Sequence, residues 1–211
     1  MAKGFARLGL VVMAVSAVAV ALFSFRFVGV LVDMWPGIDP GIRGVIERAP
    51  VQALGHMLVA PVALLLGPFQ FFPGLRARYP RAHRISGRVY VAACLIAGVA
   101  ALATAPYAAG GPVAGLGFGI LAVLWILSTL GAWRAAVQRR FDLHRLLMRY
   151  SYALTFGAVT LRLQIPIGLA LGGGSYTAMS VWLAYSSWIP NLIVVALYSA
   201  LTAPRRKTVT A

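Results

Sequence analysis

Hydrophobic positions fall into six long runs, at about residues 8–32, 51–73, 88–107, 113–133, 147–171 and 179–203. Each is close to the ~20 apolar residues that an α-helix needs to cross a bilayer. The separators alternate in character. Residues 33–50 hold Asp33, Trp35, Pro36, Gly37, Asp39, Pro40, Gly41 and Glu47. The prolines and glycines there read as breaks in an irregular loop. Gly110, Gly111 and Pro112 make a second turn of this kind, and Gly172 to Gly174 a third. The other two separators, 74–87 and 134–146, are rich in arginine. The pattern predicts an all-α, polytopic membrane bundle of six transmembrane helices. It forms one integral membrane domain over residues 1–211, with no soluble domain on either side.

Composition agrees and charge adds an orientation. The chain is 61% hydrophobic, with a formal net charge of +15. So large a positive charge first suggests a nucleic-acid partner, but its distribution argues against one. Fifteen of the 19 basic residues fall on one side of a six-span topology. They are Lys3 and Arg7; Arg76, Arg78, Arg81, Arg84 and Arg88; Arg134, Arg139, Arg140, Arg145 and Arg149; and Arg205, Arg206 and Lys207. The opposite loops hold only Arg43 and Arg48, with three of the four acids. The positive-inside rule then puts both termini in the cytoplasm of a bacterial inner membrane. The first run is too long for a signal-peptide core, so it reads as a retained helix. Cys94 stands alone in an apolar run, which excludes a disulfide framework and reads as a small buried hydrophobe.

The two arginine-rich separators end alike. His83-Arg84-Ile85-Ser86-Gly87-Arg88 leads into Tyr90, and His144-Arg145-Leu146-Leu147-Met148-Arg149 leads into Tyr150 and Tyr152. Both read His-Arg-x-x-x-Arg at the start of an apolar helix, 61 residues apart. Helices three–four and five–six are therefore expected to form a parallel repeat. The arginines alone are accounted for by anchoring to lipid phosphates. The paired histidines are not.

Polar residues inside the runs are the candidates for chemistry. Arg162 lies deep in the fifth run, eighteen residues and five helical turns after His144. Met148, Ser151 and Thr155 share that face. A guanidinium in hydrocarbon is costly and marks a ligand or ion path. Arg26, His56 and Arg162 are expected at similar depth, with Gln164 and Asn191 beside them. Gln70 lies on the same stripe as His56, together with the small residues Ala60, Ala63 and Gly67. Pro190 is expected to bend the sixth helix and free a backbone carbonyl. No span holds an acid that would neutralise the arginines. This set calls for a carboxylate, a phosphate headgroup, haem propionates or quinone carbonyls. His83 and His144 share the cytoplasmic side, where a bis-histidine pair suits a b-type haem or a transition metal.

Gly67-Pro68-Phe69-Gln70-Phe71, the Arg76…His83-Arg84…Gly87-Arg88-Val89-Tyr90 run, and His144…Met148-Arg149…Ser151-Tyr152-Ala153 with Arg162 carry a family resemblance. Over about residues 50–200 the chain resembles a family of bacterial predicted membrane proteins, a domain of unknown function with three histidines and an intramembrane arginine. The resemblance implies a multi-span inner-membrane protein and no established activity. A looser similarity in plan links it to small cytochrome b bundles. Those generally carry two histidines on one helix, and no helix here does.

The leading expectation is a membrane protein that binds a lipophilic or anionic ligand in a polar intramembrane pocket. Haem b or a quinone would give it a redox role. The alternatives are a small transporter for an anionic solute and a structural or assembly subunit. The expected partners are the lipid bilayer and a small molecule, with a homo-oligomer or a membrane-complex partner left open, and no nucleic acid.

Overall fold

The computed structural model describes residues 2–26, 29 and 38–202. The expectations for Asp33, Trp35, Pro36, Gly37, Arg205, Arg206 and Lys207 lie outside the described residues, as does the side chain of Lys3. The described chain is helical, with no strand. Its elements are α1 (Ala2–Ser24), α2 (Pro40–Arg48), α3 (Pro50–Leu66), α4 (Pro73–Arg78), α5 (Pro80–Thr104), α6 (Gly111–Val137), α7 (Phe141–Ala170), α8 (Tyr176–Ser186) and α9 (Ile189–Leu201). Short 3₁₀ turns follow α3 (Pro68–Phe71) and α5 (Ala105–Tyr107). Six stretches are long and apolar enough to cross a membrane, the sixth being α8 and α9 together.

Four helices make the centre. α3 packs along α5, α5 against α6, α6 against α7, and α7 returns to α3. α1 lies in the groove between α3 and α7, where Ala17 and Ala21 meet Leu64 and Val159. α8 and α9 cover the other flank of α6 and α7. Leu8, Val12, Ile96, Leu116, Leu127, Leu163 and Leu197 point outward and are exposed, as a lipid-facing surface requires. In lipid there is little hydrophobic drive between helices, so close backbone approach matters more. Ala53, Ala63, Ala97, Ala132 and Ala184 are accordingly buried at the contacts. Gly67 is the tightest such point. A Cβ there would lie 2.2 Å from the Tyr152 ring and 3.1 Å from the Tyr90 ring.

Three local features depart from the hydrophobic pattern. Pro40 and Gly41 open a helix instead of breaking a loop. Asp39 caps it, with Oδ1 accepting from the Gly41 N–H at 2.8 Å, and proline suits the first helical turn because its missing N–H has no helical partner there. Val45 and Ile46 on its inner face pack with Ile38 and Ala53. Second, α5 and α7 start at Pro80 and Phe141, well before the apolar runs. Their basic first turns are helical, so arginines ring one end of the bundle, called the basic end below. Third, the sixth span breaks at Ser187 and Trp188. Pro190 lacks the N–H that would hold the Ser186 carbonyl, and the helix restarts as α9.

The turn between α6 and α7 carries a residue in the left-handed region, Arg139 (φ 59°). Arg139 N–H bonds the Ala136 carbonyl and Arg140 N–H the Ala135 carbonyl. This is a Schellman cap with arginine where glycine is usual. The end of α7 has the same cap built on Gly172 (φ 86°).

Candidate functional site

Hydroxyl groups meet at the middle of the bundle. Tyr90 Oη, from α5, lies 2.9 Å from Ser151 Oγ and 3.0 Å from Thr155 Oγ1, both on α7. Thr129 Oγ1 and Trp125 Nε1, from α6, reach Ser151 Oγ at 2.7 Å and Thr155 Oγ1 at 2.9 Å. The proton directions follow from one fact. Thr155 gives its single proton to the Ser151 carbonyl, so its oxygen must accept from Tyr90 and from Trp125. Tyr90 then accepts from Ser151, and Ser151 accepts from Thr129. Tyr90, Thr129 and Ser151 are fully buried, and each donor has an acceptor. A satisfied network of this kind holds three helices in one register. Cys94, also fully buried, lies beside the same groups.

Toward the end opposite the basic one lie His56 and Arg162. His56 Nδ1 is 3.0 Å from the Ala97 carbonyl. A carbonyl only accepts, so Nδ1 carries the proton, and in the neutral ring Nε2 offers a lone pair. The edge of Trp125 holds the same imidazole, with ring centroids 6.4 Å apart. Arg162 is half-buried on α7. Among the described residues its one hydrogen bond runs from Nη1 to the Ala158 carbonyl, one turn back, at 3.1 Å. It stands within electrostatic reach of His56, Arg26 and Tyr176. The Arg26 guanidinium lies 3.5 Å above the Phe23 ring. Among the described residues the one salt bridge is Arg145–Asp142, at the basic end. Pro61 in α3 and Pro166 in α7 remove the N–H groups that would have held the carbonyls of Met57 and Arg162. Those acceptors adjoin the imidazole and the guanidinium in sequence.

Gln164 and Asn191 engage the helix break instead. Gln164 Nε2 donates to the Ser186 carbonyl freed by Pro190, at 3.1 Å, and Gln164 Oε1 accepts from Ser186 Oγ at 3.1 Å. Asn191 Nδ2 reaches the Ser187 and Ala153 carbonyls, each at 3.3 Å, and Thr160 Oγ1 at 3.0 Å. The freed carbonyl was a natural partner for Arg162, but a glutamine one half-turn away has taken it. Gln70 sits in the 3₁₀ turn at the basic end of α3, where Nε2 donates to Ser86 Oγ at 2.8 Å. It therefore joins α3 to α5 fourteen residues, about four turns, from His56.

At the basic end His83 and His144 come within electrostatic reach of each other. His144 Nδ1 donates to the Ala132 carbonyl at 2.9 Å, the same arrangement as His56. His83 Nδ1 is buried and bonds nothing among the described residues. Arg76 and Arg84 lie near His83. No three His, Cys, Asp or Glu side chains converge among the described residues. A groove of about 290 Å³ between Leu127, Leu147 and Leu192 is apolar and touches none of these polar residues. Sequence reasoning did not single out Trp125, Thr129 or Ser86. Their signal was faint, being single hydrogen-bonding residues in an otherwise apolar or basic helix.

The histidines and Arg162 thus stand on one six-span scaffold. A family model described as "Predicted membrane protein (DUF2306)" matches residues 53–199. The chain belongs to that family. The match spans α3 to α9 and every candidate residue except Arg26. No curated protein and no solved structure matches the chain. The family is one of integral membrane proteins of unknown function, so lipid contact is established and the ligand is not.

Proposed function

We propose that this membrane protein binds a lipophilic molecule with an acidic or carbonyl-bearing head in the half of the bundle away from the basic end. Arg162 donates to the head group and His56 Nε2 accepts from it. One observation carries the reading. Arg162 is a half-buried guanidinium with five donors, a single bond to its own helix and no carboxylate partner among the described residues. In a low-dielectric site such a group is stable only with an anion or strong acceptors. A donor beside an acceptor suits a quinone–quinol head, whose carbonyl accepts and whose hydroxyl donates. Gln70, Gln164 and Asn191 support the scaffold in this reading, and Arg26 adds positive potential. By the positive-inside rule the basic end faces the cytoplasm of an inner membrane, and the site opens outward.

Trp125 touches His56 and provides the reporter. Titration of detergent-solubilised protein with a short-chain quinone or a medium-chain fatty acid should quench tryptophan fluorescence saturably. Arg162→Gln should abolish saturation. Native mass spectrometry should find a small molecule retained by wild type and missing from the variant. Absence of both signals in folded wild-type protein would remove the reading. Asp33, outside the described residues, offers a rival counter-ion. If it is the partner, Asp33→Asn will destabilise the protein as Arg162→Gln does, and no ligand will be found.

A further inference from the structure

The geometry points to an anionic phospholipid site on the flank of the bundle. One acyl chain lies in the groove between α6, α7 and α9, and Arg134 and Arg149 hold the phosphate at the basic end. Neither Arg162 nor any histidine takes part.

The groove exists because α6 and α9 both pack on α7 and scarcely on each other. The gap between them has a volume of about 290 Å³. Leu147, Tyr150 and Leu154 of α7 line it, with Leu127 and Ser128 of α6 on one side and Leu192 of α9 on the other. Leu127 is 60% exposed, so the groove meets the lipid-facing surface. Water held there would lack the two to four polar partners it needs. An acyl chain needs none. α9 also has room for a neighbour, since none of its residues is fully buried. A chain in the groove would supply the contact between α9 and α6 that the protein itself does not make.

Each wall of the groove runs on toward the basic end and reaches a group suited to phosphate. On α6, Arg134 follows Leu127 by seven residues. Seven residues are two turns along one face, a rise of about 10 Å. On α9, Ser199 follows Leu192 by the same seven. Ser199 Oγ is buried and bonds nothing among the described residues, whereas buried hydroxyls nearly always have a partner. On α7, half-buried Arg149 adjoins Tyr150 of the groove. Its guanidinium lies 5.3 Å from the centre of the Tyr198 ring on α9, next in sequence to Ser199. Neither arginine pairs with an acid among the described residues, and Asp142, the nearest acid in sequence, is held by Arg145.

These groups decide the class of lipid. A phosphodiester accepts charge-assisted hydrogen bonds from guanidinium groups, and it can accept from a hydroxyl too. A choline head would bring its own cation against the arginines, so the head group must carry net negative charge. A free phosphate ion would use the arginines and leave the groove empty. Head and chain together select an anionic phospholipid, which would tie α9 to the rest of the bundle beyond the break in the sixth span.

The test uses the full-length chain, delipidated in detergent and titrated with palmitoyl-oleoyl phosphatidylglycerol or with phosphatidylcholine of the same chains. Native mass spectrometry should find one phosphatidylglycerol per chain retained under activation that strips phosphatidylcholine. The thermal midpoint should rise with the first lipid only. Arg134→Gln and Arg149→Gln should each weaken retention about fivefold, the worth of one arginine at a lipid surface. Arg81→Gln, an exposed arginine on α5, should leave it unchanged. Ser128→Phe should fill the groove and lower retention with the arginines intact. Size-exclusion profiles show whether each variant has folded. If Ser128→Phe does not fold, competition on wild type answers the same question: excess inorganic phosphate should fail to displace the lipid. Three results overturn the site: equal retention of the two lipids by folded wild type; equal losses in Arg81→Gln and Arg149→Gln; or displacement by inorganic phosphate. The quinone titration is read separately, so either site can fail without the other.

Discussion

Two polar segments of the same helix behave differently. At the middle of α7, Ser151 and Thr155 are enclosed: Ser151 accepts from Thr129 on α6 and donates to Tyr90 on α5, and Thr155 accepts from Tyr90 and Trp125 while donating to the Ser151 carbonyl of its own helix. Two turns further on, Arg162 uses one of its five donors among the described residues, and uses it on its own helix. At the other end of α7, His144 holds one carbonyl through Nδ1, and its other ring nitrogen bonds nothing among the described residues. The centre is polar and closed, whereas the two ends are polar with capacity left over. Polarity within a membrane is therefore not by itself a sign of function. The unused valence is the better guide, because a satisfied network serves the fold while an unsatisfied charge needs a further partner.

If the central network is the structural part, damage there should cost most. Tyr90→Ala removes both the hub and a fully buried ring, and should lower stability by about 3–5 kcal/mol, the range for large aromatic truncations. Equilibrium unfolding in mixed micelles measures it. Gly67→Ala puts a methyl into the Tyr152 ring and should cost about 1–3 kcal/mol, as overpacking does. Thermal midpoints compared with an exposed control such as Gly74→Ala would show it. Tyr90→Phe keeps the ring and drops two hydrogen bonds. It should cost about 1 kcal/mol, in keeping with the modest worth of interhelical bonds in membranes. A loss as large as that of Tyr90→Ala would mean the hydroxyl network outweighs packing. Arg162→Met should change stability by less than about 1 kcal/mol, since a poorly paired buried charge adds little to the fold, while removing ligand binding. A loss above about 2 kcal/mol would erase the contrast drawn along α7 by making Arg162 structural. The smallest effect concerns the two matching caps. Arg139→Gly should stabilise by up to about 1 kcal/mol, relieving left-handed strain. Gly172→Ala should do the reverse.

The face of α7 from His144 through Met148, Ser151 and Thr155 to Arg162 was legible from spacing alone, because helical geometry fixes which residues share a face. Its inward direction at Met148, Ser151 and Thr155 agrees with the burial found there. The freed carbonyl at Pro190 was also legible, since proline cannot donate. Its recipient was not. Gln164 and Asn191 looked like site residues, yet both close the break in the sixth span. Which amide reaches a carbonyl depends on how α7 meets α8 and α9, and no local pattern encodes that. The helix α2 was hidden by Pro40 and Gly41, residues that break helices in the interior but are compatible with a first turn.

The order of hydrophobic and basic segments by itself determined six spans and one basic end, because the cost of burying backbone and charge in lipid depends on local composition. Tertiary packing alone decided which polar groups remain unsatisfied. Tyr90 met Ser151 across 61 residues, Gln164 met Ser186, and Arg162, among the described residues, met only its own helix. Hydrogen bonds are short and directional, so who satisfies whom is settled only when the helices are in place.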